Sequence, residues 1–176
     1  MNTRTATLLT VVALTAAGLV ALFPNAKEPG QASRSREKIQ WHECNEGISL
    51  ARQKNKKILI DVYTDWCSWC KKMDKEVYSD SAVGRTLATN FIGVKLNAES
   101  QKGVTFNGTP MSEADLAGSM GVTGYPTILF LDPASKPITK ISGYMEPKEF
   151  TSVLRFIGED HYKTQSLEEY KRSKRD

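Results

Sequence analysis

The segment DWCSWCKK, which runs from Asp65 to Lys72, carries two cysteines at C-x-x-C spacing, Cys67 and Cys70. One helical turn would bring the second sulfur within reach of the first, so the pair could exchange two electrons as a dithiol and a disulfide. A helix that starts at the pair would point backbone N–H groups at the first sulfur, which favours its thiolate and lowers its pKa below about 8.5. We therefore expect Cys67, nearer the helix start and more exposed, to be the nucleophile and Cys70 the resolving thiol.

The same spacing occurs in metal sites, so a second chemistry stays open. A closed zinc site needs four ligands, and the segment WHEC adds His42 and Cys44 as candidates. The alternative prediction is a metal-binding or metallochaperone module that uses Cys67, Cys70 and Cys44. It would require the N-terminal segment to fold back onto the pair. A purely structural pair of cysteines is the third reading, and haem attachment is excluded because a lysine follows the second cysteine.

The surrounding pattern predicts the elements that position the pair. Apolar, β-branched runs predict strands at ILIDVYT, FIGVKLN, PTILFLD and ITKIS. Helices are predicted between the first three strands and at both ends, and a turn is predicted between the last two strands. Asn45 and Ser112 are the expected helix caps, and Glu99–Met111 is an expected loop. Strands joined through helices should be parallel, and the last two, joined by a turn, antiparallel. The prediction is a mixed sheet with helices on both faces and Cys67 at the carboxyl end of a strand.

Four blocks in this order resemble the thioredoxin superfamily: ILIDVYTDWCSWCK, VKLNAE, GVTGYPTILFLD and ISGYMEPKEFTSVL. The sequence around these blocks is similar to the exported thioredoxin-like branch and to the C-terminal domain of transmembrane thiol:disulfide interchange proteins. The resemblance covers roughly Trp41 to Asp160 and implies an α/β thioredoxin fold. It also implies that Asp61 is a buried carboxylate that accepts and returns the proton of Cys70, with Lys95 as its charge partner. From position alone, Asp61 reads as a satisfied strand residue and Lys95 equally well as a solvated strand-end lysine.

The resemblance further implies a docking surface for substrate around the pair. Pro126 is expected to be cis, which would place the backbone of Tyr125 beside Cys67, and Trp66 and Trp69 are expected to form an apolar rim. The chain departs from the family in three respects. Ser-Trp replaces Gly-Pro between the cysteines, which leaves the direction of electron flow open; the residue before the proline is bulkier; and the loop at 99–111 is longer. Cys44, which has no family counterpart, is expected to be a small buried hydrophobe, or else a reactive unpaired thiol.

The chain has 176 residues and a net charge of +4, concentrated near its C-terminal end, so nucleic-acid binding is not expected. We predict a signal peptide or membrane anchor at 1–26, a flexible linker at 27–38, a thioredoxin-like domain at 39–160 and a basic tail at 161–176. An anchor is favoured because the uncharged run from Thr5 to Phe23 is nearly as long as a membrane helix and the cleavage site is poor.

The expected protein is an extracytoplasmic (periplasmic or cell-envelope) thiol:disulfide oxidoreductase that acts on protein disulfides, more as a reductase than as an oxidase. It would need no cofactor, would receive electrons from a membrane thiol:disulfide donor, and would contact the membrane through its N-terminal segment if that segment is not cleaved.

Overall fold

The computed structural model describes residues 38–174, so the predicted leader at 1–26 and nearly all of the linker at 27–38 lie outside the described residues. Within that range, no helix combines the length and the apolar character needed to cross a bilayer. The strands are β1 (Trp41–His42), β2 (Lys57–Tyr63), β3 (Phe91–Asn97), β4 (Gly103–Phe106), β5 (Thr109–Ser112), β6 (Thr127–Leu131) and β7 (Pro137–Ser142). The α-helices are α1 (Cys44–Lys54), α2 (Ser68–Lys72), α3 (Ser81–Asn90), α4 (Glu113–Ser119), α5 (Pro147–Gly158) and α6 (Leu167–Ser173).

A five-stranded mixed sheet orders its strands β1-β3-β2-β6-β7. β2 and β3 are parallel, and β6 and β7 are antiparallel, as predicted. The prediction of a parallel third strand is wrong, because β6 runs antiparallel to β2. The helix that precedes β6, α4, has seven residues and is about 10 Å long. It is too short to return the chain to the start of the seven-residue strand β3, which is about 23 Å long.

The sheet is covered by helices on both faces, as predicted. Successive side chains of a strand alternate between the faces. Ile58, Ile60 and Val62 pack into one core cluster with α1 and α4, whereas Leu59 packs into the other with α3 and α5. Asp61 therefore shares the face of Leu59, and so lies on the side of the sheet that α5 covers.

The stretch Glu99–Met111 is not the irregular loop that its turn-rich composition predicted, because β4 and β5 form a hairpin within it. Asn107 and Gly108 form its two-residue turn with positive φ values of 50° and 84°, and this Asn-Gly pair was the available sequence signal. Asn45 is not a cap either. Helix α1 begins at Cys44, and Glu43 is its cap residue. The Asn45 side chain instead accepts a hydrogen bond from the Thr105 N–H at 2.8 Å.

Part of the C-terminal stretch that was predicted as a basic tail is helical. The chain forms α6, whose first turn is closed by a reciprocal pair of hydrogen bonds between Ser166 and Glu169. Tyr170 is 2% exposed and packs on the ring of Phe156, with centroids 5.5 Å apart. Tyr170 therefore contributes to docking this helix against α5.

Candidate active site

The two cysteines lie at the junction between β2 and α2. The Cys67 N–H donates to the carbonyl of Thr64 at 3.2 Å and ends the strand, and Cys67 is the cap residue of α2. Cys67 and Cys70 form a disulfide with their Cα atoms 5.3 Å apart. The Cys70 N–H donates to Cys67 Sγ at 3.0 Å. Once the bond is reduced, the same N–H would stabilise a thiolate at Cys67, as predicted for a cysteine at a helix start.

The exposure of the pair is small. Cys67 is 4% exposed and Cys70 is 3% exposed, so exposure does not distinguish the expected nucleophile from its partner. The two sulfurs differ in their hydrogen bonding, because Cys67 Sγ accepts the backbone N–H of Cys70. Trp66 and Trp69, each of which directly precedes one of the cysteines, are 63% and 55% exposed, so two large apolar side chains beside the pair are at the surface.

Asp61 and Lys95 are direct neighbours across the parallel pairing of β2 and β3. Lys95 Nζ donates to Asp61 Oδ2 at 2.6 Å, and Asp61 is 1% exposed. Burial raises the pKa of Asp61; Lys95 opposes this rise and nearby Asp74 adds to it. Burial would lower the pKa of Lys95, but Asp61 and Asp74 together raise it. Asp61 is therefore a carboxyl group with an increased affinity for a proton.

Sequence reasoning missed the groups that enclose this pair. Lys95 Nζ also donates to Asp74 Oδ1 at 2.5 Å, and Asp74 lies one turn beyond Cys70 in the π-helical turn Met73–Val77 that continues α2. The ammonium group lies 4.9 Å from the ring centroid of Trp41, 5.3 Å from that of Tyr63 and 5.1 Å from that of Tyr78. The i, i+4, i+8 spacing of Cys70, Asp74 and Tyr78 was the sequence signal for two of these groups.

Trp66 is held in one orientation at the rim of the disulfide. Its Nε1–H donates to Glu99 Oε1 at 2.9 Å, and its ring meets that of Tyr125 edge-on at a centroid distance of 5.9 Å. The bond between Tyr125 and Pro126 is cis, as the family resemblance implied. The Pro126 carbonyl accepts the N–H of Gly143 at 2.8 Å, which joins this turn to the chain beyond β7.

A second aromatic pair lies on the other side of the disulfide and was not predicted. The rings of Trp69 and Tyr144 lie 5.5 Å apart. Lys72 Nζ is 4.5 Å from the Tyr144 centroid and 5.1 Å from that of Trp69, and the Tyr144 hydroxyl donates to Glu76 Oε2 at 3.0 Å. The predicted rim is therefore a pair of braced aromatic contacts rather than two isolated tryptophans.

The alternative metal ligands are not brought together. Cys67 and Cys70 are bonded to each other, and Cys44 is 1% exposed in the core under α1, as expected for a small hydrophobe. Burial, with a contribution from Glu113, raises the pKa of Cys44 to about 11. His42 pairs with Glu46 at 3.0 Å. Within residues 38–174, no three His, Cys, Asp or Glu side chains gather where they could hold a metal ion.

The clefts found among residues 38–174 do not include the two cysteines. A cleft of about 670 Å³ lies between α5 and α6, with Glu146, Thr151 and Tyr170 in its wall, and contains none of the groups around the disulfide. The site is therefore an open, partly aromatic surface around two sulfurs.

A family model described as a thioredoxin-like domain matches residues 44–158, from the first helix to the last residue of α5. The chain belongs to this thioredoxin-like family. The thiol:disulfide interchange protein DsbD of Yersinia pestis (strain Pestoides F) is 34% identical over 108 residues, which is 60% of this chain and 17% of that protein. The chain thus spans about a sixth of the length of the curated relatives that it matches.

Solved structures show the same thioredoxin-like fold. A thioredoxin-fold protein from Helicobacter pylori has a TM-score of 0.63 at 22% identity, covering 79% of this chain and 92% of that one. A thioredoxin from Thermus thermophilus has a TM-score of 0.56 at 24% identity, covering 68% and 87%. Family membership and the Cys67–Cys70 disulfide at the start of a helix support a thiol:disulfide oxidoreductase.

Proposed function

We propose that the protein reduces disulfides in other polypeptides through Cys67 and Cys70. The observation that carries this proposal is the disulfide at the start of α2, with Cys67 Sγ accepting the Cys70 N–H. In the reduced protein, the Cys67 thiolate attacks a sulfur of the substrate disulfide. A mixed disulfide forms, and the other substrate sulfur leaves as a thiolate and is protonated.

The second step resolves the mixed disulfide. Cys70 gives its proton to Asp61, and the resulting thiolate attacks Cys67 Sγ. The Cys67–Cys70 bond forms, the bond to the substrate breaks, and the second substrate thiolate leaves. Two electrons have then passed to the substrate, and Asp61 returns its proton to solvent or to the leaving sulfur. The raised pKa of Asp61 supports its role as the proton acceptor, and Lys95 limits how far that pKa rises.

Trp66, Trp69, Tyr125 and Pro126 form the proposed contact surface for the substrate. Both tryptophans are more than half exposed. Each is braced by an aromatic neighbour, which reduces the entropy lost when a substrate packs against it. An extended segment of substrate is proposed to lie along this surface, beside the turn that contains the cis bond.

The proposed electron donor follows from the need to reduce the cysteine pair again after each turnover, and the proposed location follows from the N-terminal sequence. A reductase in an oxidising compartment must be re-reduced after each turnover, and a membrane thiol:disulfide donor is the proposed source. The relative's printed name, thiol:disulfide interchange protein, agrees with this type of chemistry. Localisation outside the cytoplasm is proposed from the apolar N-terminal run. Reaction of reduced Cys67 with a membrane-impermeant maleimide on intact cells would test it, and labelling only after lysis would contradict it.

Turnover of insulin disulfides by the full chain tests the function. We expect Cys67→Ser to abolish turnover and Cys70→Ser to accumulate a mixed disulfide that migrates as a larger species without reductant. Cys44→Ser is the matched control, because that thiol is buried in the core and takes no part in the exchange. Unchanged turnover in both active-site variants would refute the proposal.

The reduction potential of the pair decides the direction. We expect equilibration of the full chain with glutathione buffers to give the Cys67–Cys70 pair a reduction potential of about −270 mV, in the range of thioredoxins. A potential near that of strong oxidants, about −120 mV, would instead assign the protein to disulfide formation.

A further inference from the structure

The buried hydroxyl of Tyr78 takes no part in the disulfide exchange described above. Its N–H donates to the carbonyl of Met73 at 3.0 Å and closes the π-helical turn. Its ring is held between Trp41, at a centroid distance of 4.8 Å, and Phe150, at 5.9 Å. Among the described residues the hydroxyl has no hydrogen-bond partner. A buried polar group without a partner is costly, and its presence calls for a reason.

Asp61 has an unpaired oxygen in the same place. Lys95 occupies Oδ2, whereas Oδ1 is buried and also lacks a partner within residues 38–174. The Lys95 ammonium that contacts Oδ2 lies 5.1 Å from the centroid of the Tyr78 ring, so the three side chains share one enclosed space. The Tyr78 hydroxyl and Asp61 are near enough to affect each other's ionisation, and the hydroxyl opposes the rise that burial causes in the pKa of Asp61.

The hydroxyl keeps its proton throughout. Burial first, and then Asp61, raise the pKa of Tyr78 well above the ordinary value. The hydroxyl is therefore a permanent donor, and the ionised Asp61 carboxylate is a better acceptor for it than the protonated acid.

We propose that Tyr78 is a positioning residue for disulfide exchange, whose hydroxyl donates to Asp61 Oδ1 when that carboxyl is ionised. This inference rests on the proposed function, in which Asp61 takes the proton of Cys70. Tyr78 transfers no proton itself; it sets how strongly Asp61 holds one. The other charged or titratable groups facing Asp61 are Lys95 from β3 and Asp74 from the π-helical turn. Tyr63 lies on the strand of Asp61 and is titratable as well.

Tyr78→Phe removes the hydroxyl and keeps the ring. In the disulfide form of the full chain, we expect the titration of Asp61, followed by NMR of its carboxyl carbon, to move to higher pH. One hydrogen bond to a charged group corresponds to about a tenfold change in the protonation equilibrium. Tyr170→Phe is the matched control, because Tyr170 is also buried but lies in α6. An unmoved midpoint in Tyr78→Phe, or an equal movement in both variants, would overturn the proposal.

A reciprocal measurement covers the case in which Tyr78→Phe folds poorly. Asp61→Asn removes the carboxylate charge, so the pKa of Tyr78, followed by tyrosinate absorbance, should fall towards the ordinary value. An unchanged tyrosine titration would contradict the interaction.

The pH profile of turnover separates a positioning role from a structural one. We expect Tyr78→Phe to move the acid limb of kcat/KM to higher pH, since Asp61 must be ionised to accept the proton of Cys70. In an Asp61→Asn background, Tyr78→Phe should leave the profile unmoved. Equal movement in both backgrounds, or a moved Asp61 titration with an unmoved profile, would refute the role in exchange. If the parent chain reduces no disulfides, the proposed function fails, and the NMR titration still tests the contact between Tyr78 and Asp61.

Discussion

Replacing Lys95 with methionine should destabilise the protein in a way that depends strongly on pH. Methionine retains much of the apolar stem of Lys95, but it removes the ammonium group that donates to Asp61 Oδ2 at 2.6 Å. Asp61 is 1% exposed and its Oδ1 already has no partner within the described range, so the ionised carboxylate would be left without compensation in the core.

The size of the effect follows from the burial of the two partners. Removing one member of a buried ion pair costs about 3–5 kcal/mol. Lys95 is 23% exposed and protonation of Asp61 limits the loss, so we expect the lower end, about 3 kcal/mol at pH 7. The pKa of Asp61 is raised from the ordinary value of 3.8 in the folded chain, and Lys95 opposes that rise. The native state of the variant therefore binds the Asp61 proton more tightly than the unfolded chain does, over a wider range of pH.

The stability contributed by that proton is fully present below the unfolded pKa and is lost as pH rises through the folded pKa. Urea unfolding of the oxidised protein at pH 4 and at pH 7 measures the difference. We expect the loss of stability caused by Lys95→Met to be much smaller at pH 4 than at pH 7. In an Asp61→Asn background, the loss caused by Lys95→Met should no longer differ between the two pH values. Lys171→Met, which breaks a surface pair with Glu149, is the control and should cost less than about 1 kcal/mol at either pH. Equal losses for Lys95→Met at both values would refute the reasoning.

Three further predictions concern groups around the site. Glu99→Ala removes the acceptor for the Trp66 Nε1–H, and we expect the KM for insulin to rise about threefold while turnover of a small aromatic disulfide is unchanged. Asn45→Ala should cost about 1 kcal/mol and accelerate amide exchange in the hairpin at 103–112, because the Thr105 N–H loses its acceptor; slow exchange would contradict this. Cys44, whose pKa burial raises to about 11, should resist iodoacetamide at pH 8 until urea unfolds the chain, and rapid alkylation of the native protein would disprove its burial.

The sequence was informative wherever local chemistry decides the structure. The helix start at the cysteines follows from the strand before them and the helix formers after them, and the Cys67–Cys70 disulfide forms there. The cap at Ser112 was predicted for the same local reason, and the structure adds the reciprocal bonds with Asp115. The direction of β6 could not be predicted in this way, because it depends on how far a short helix carries the chain through space.

The surroundings of Asp61 were also beyond local patterns. Lys95 and Asp61 are 34 residues apart in sequence. They become neighbours only through the strand register, and the family resemblance rather than the pattern suggested the pair. Trp41 reaches Lys95 because a two-residue strand, β1, adds to the sheet edge. A strand of two residues is too short for an alternating pattern to reveal. Tyr144 follows β7 in sequence, and nothing near it indicates its contact with Trp69.

The π-helical turn after α2 makes the length of this segment a determinant of the site. A π-turn accommodates one residue more than an α-helical turn, and each residue of an α-helix rotates the following side chains by about 100°. Asp74 is the second residue of this turn and Tyr78 follows its end, and both face Lys95. A deletion of one residue between them would turn one of the two away from Lys95 without altering any residue of the sheet. Variation in chain length here would alter the acid–base properties of the centre.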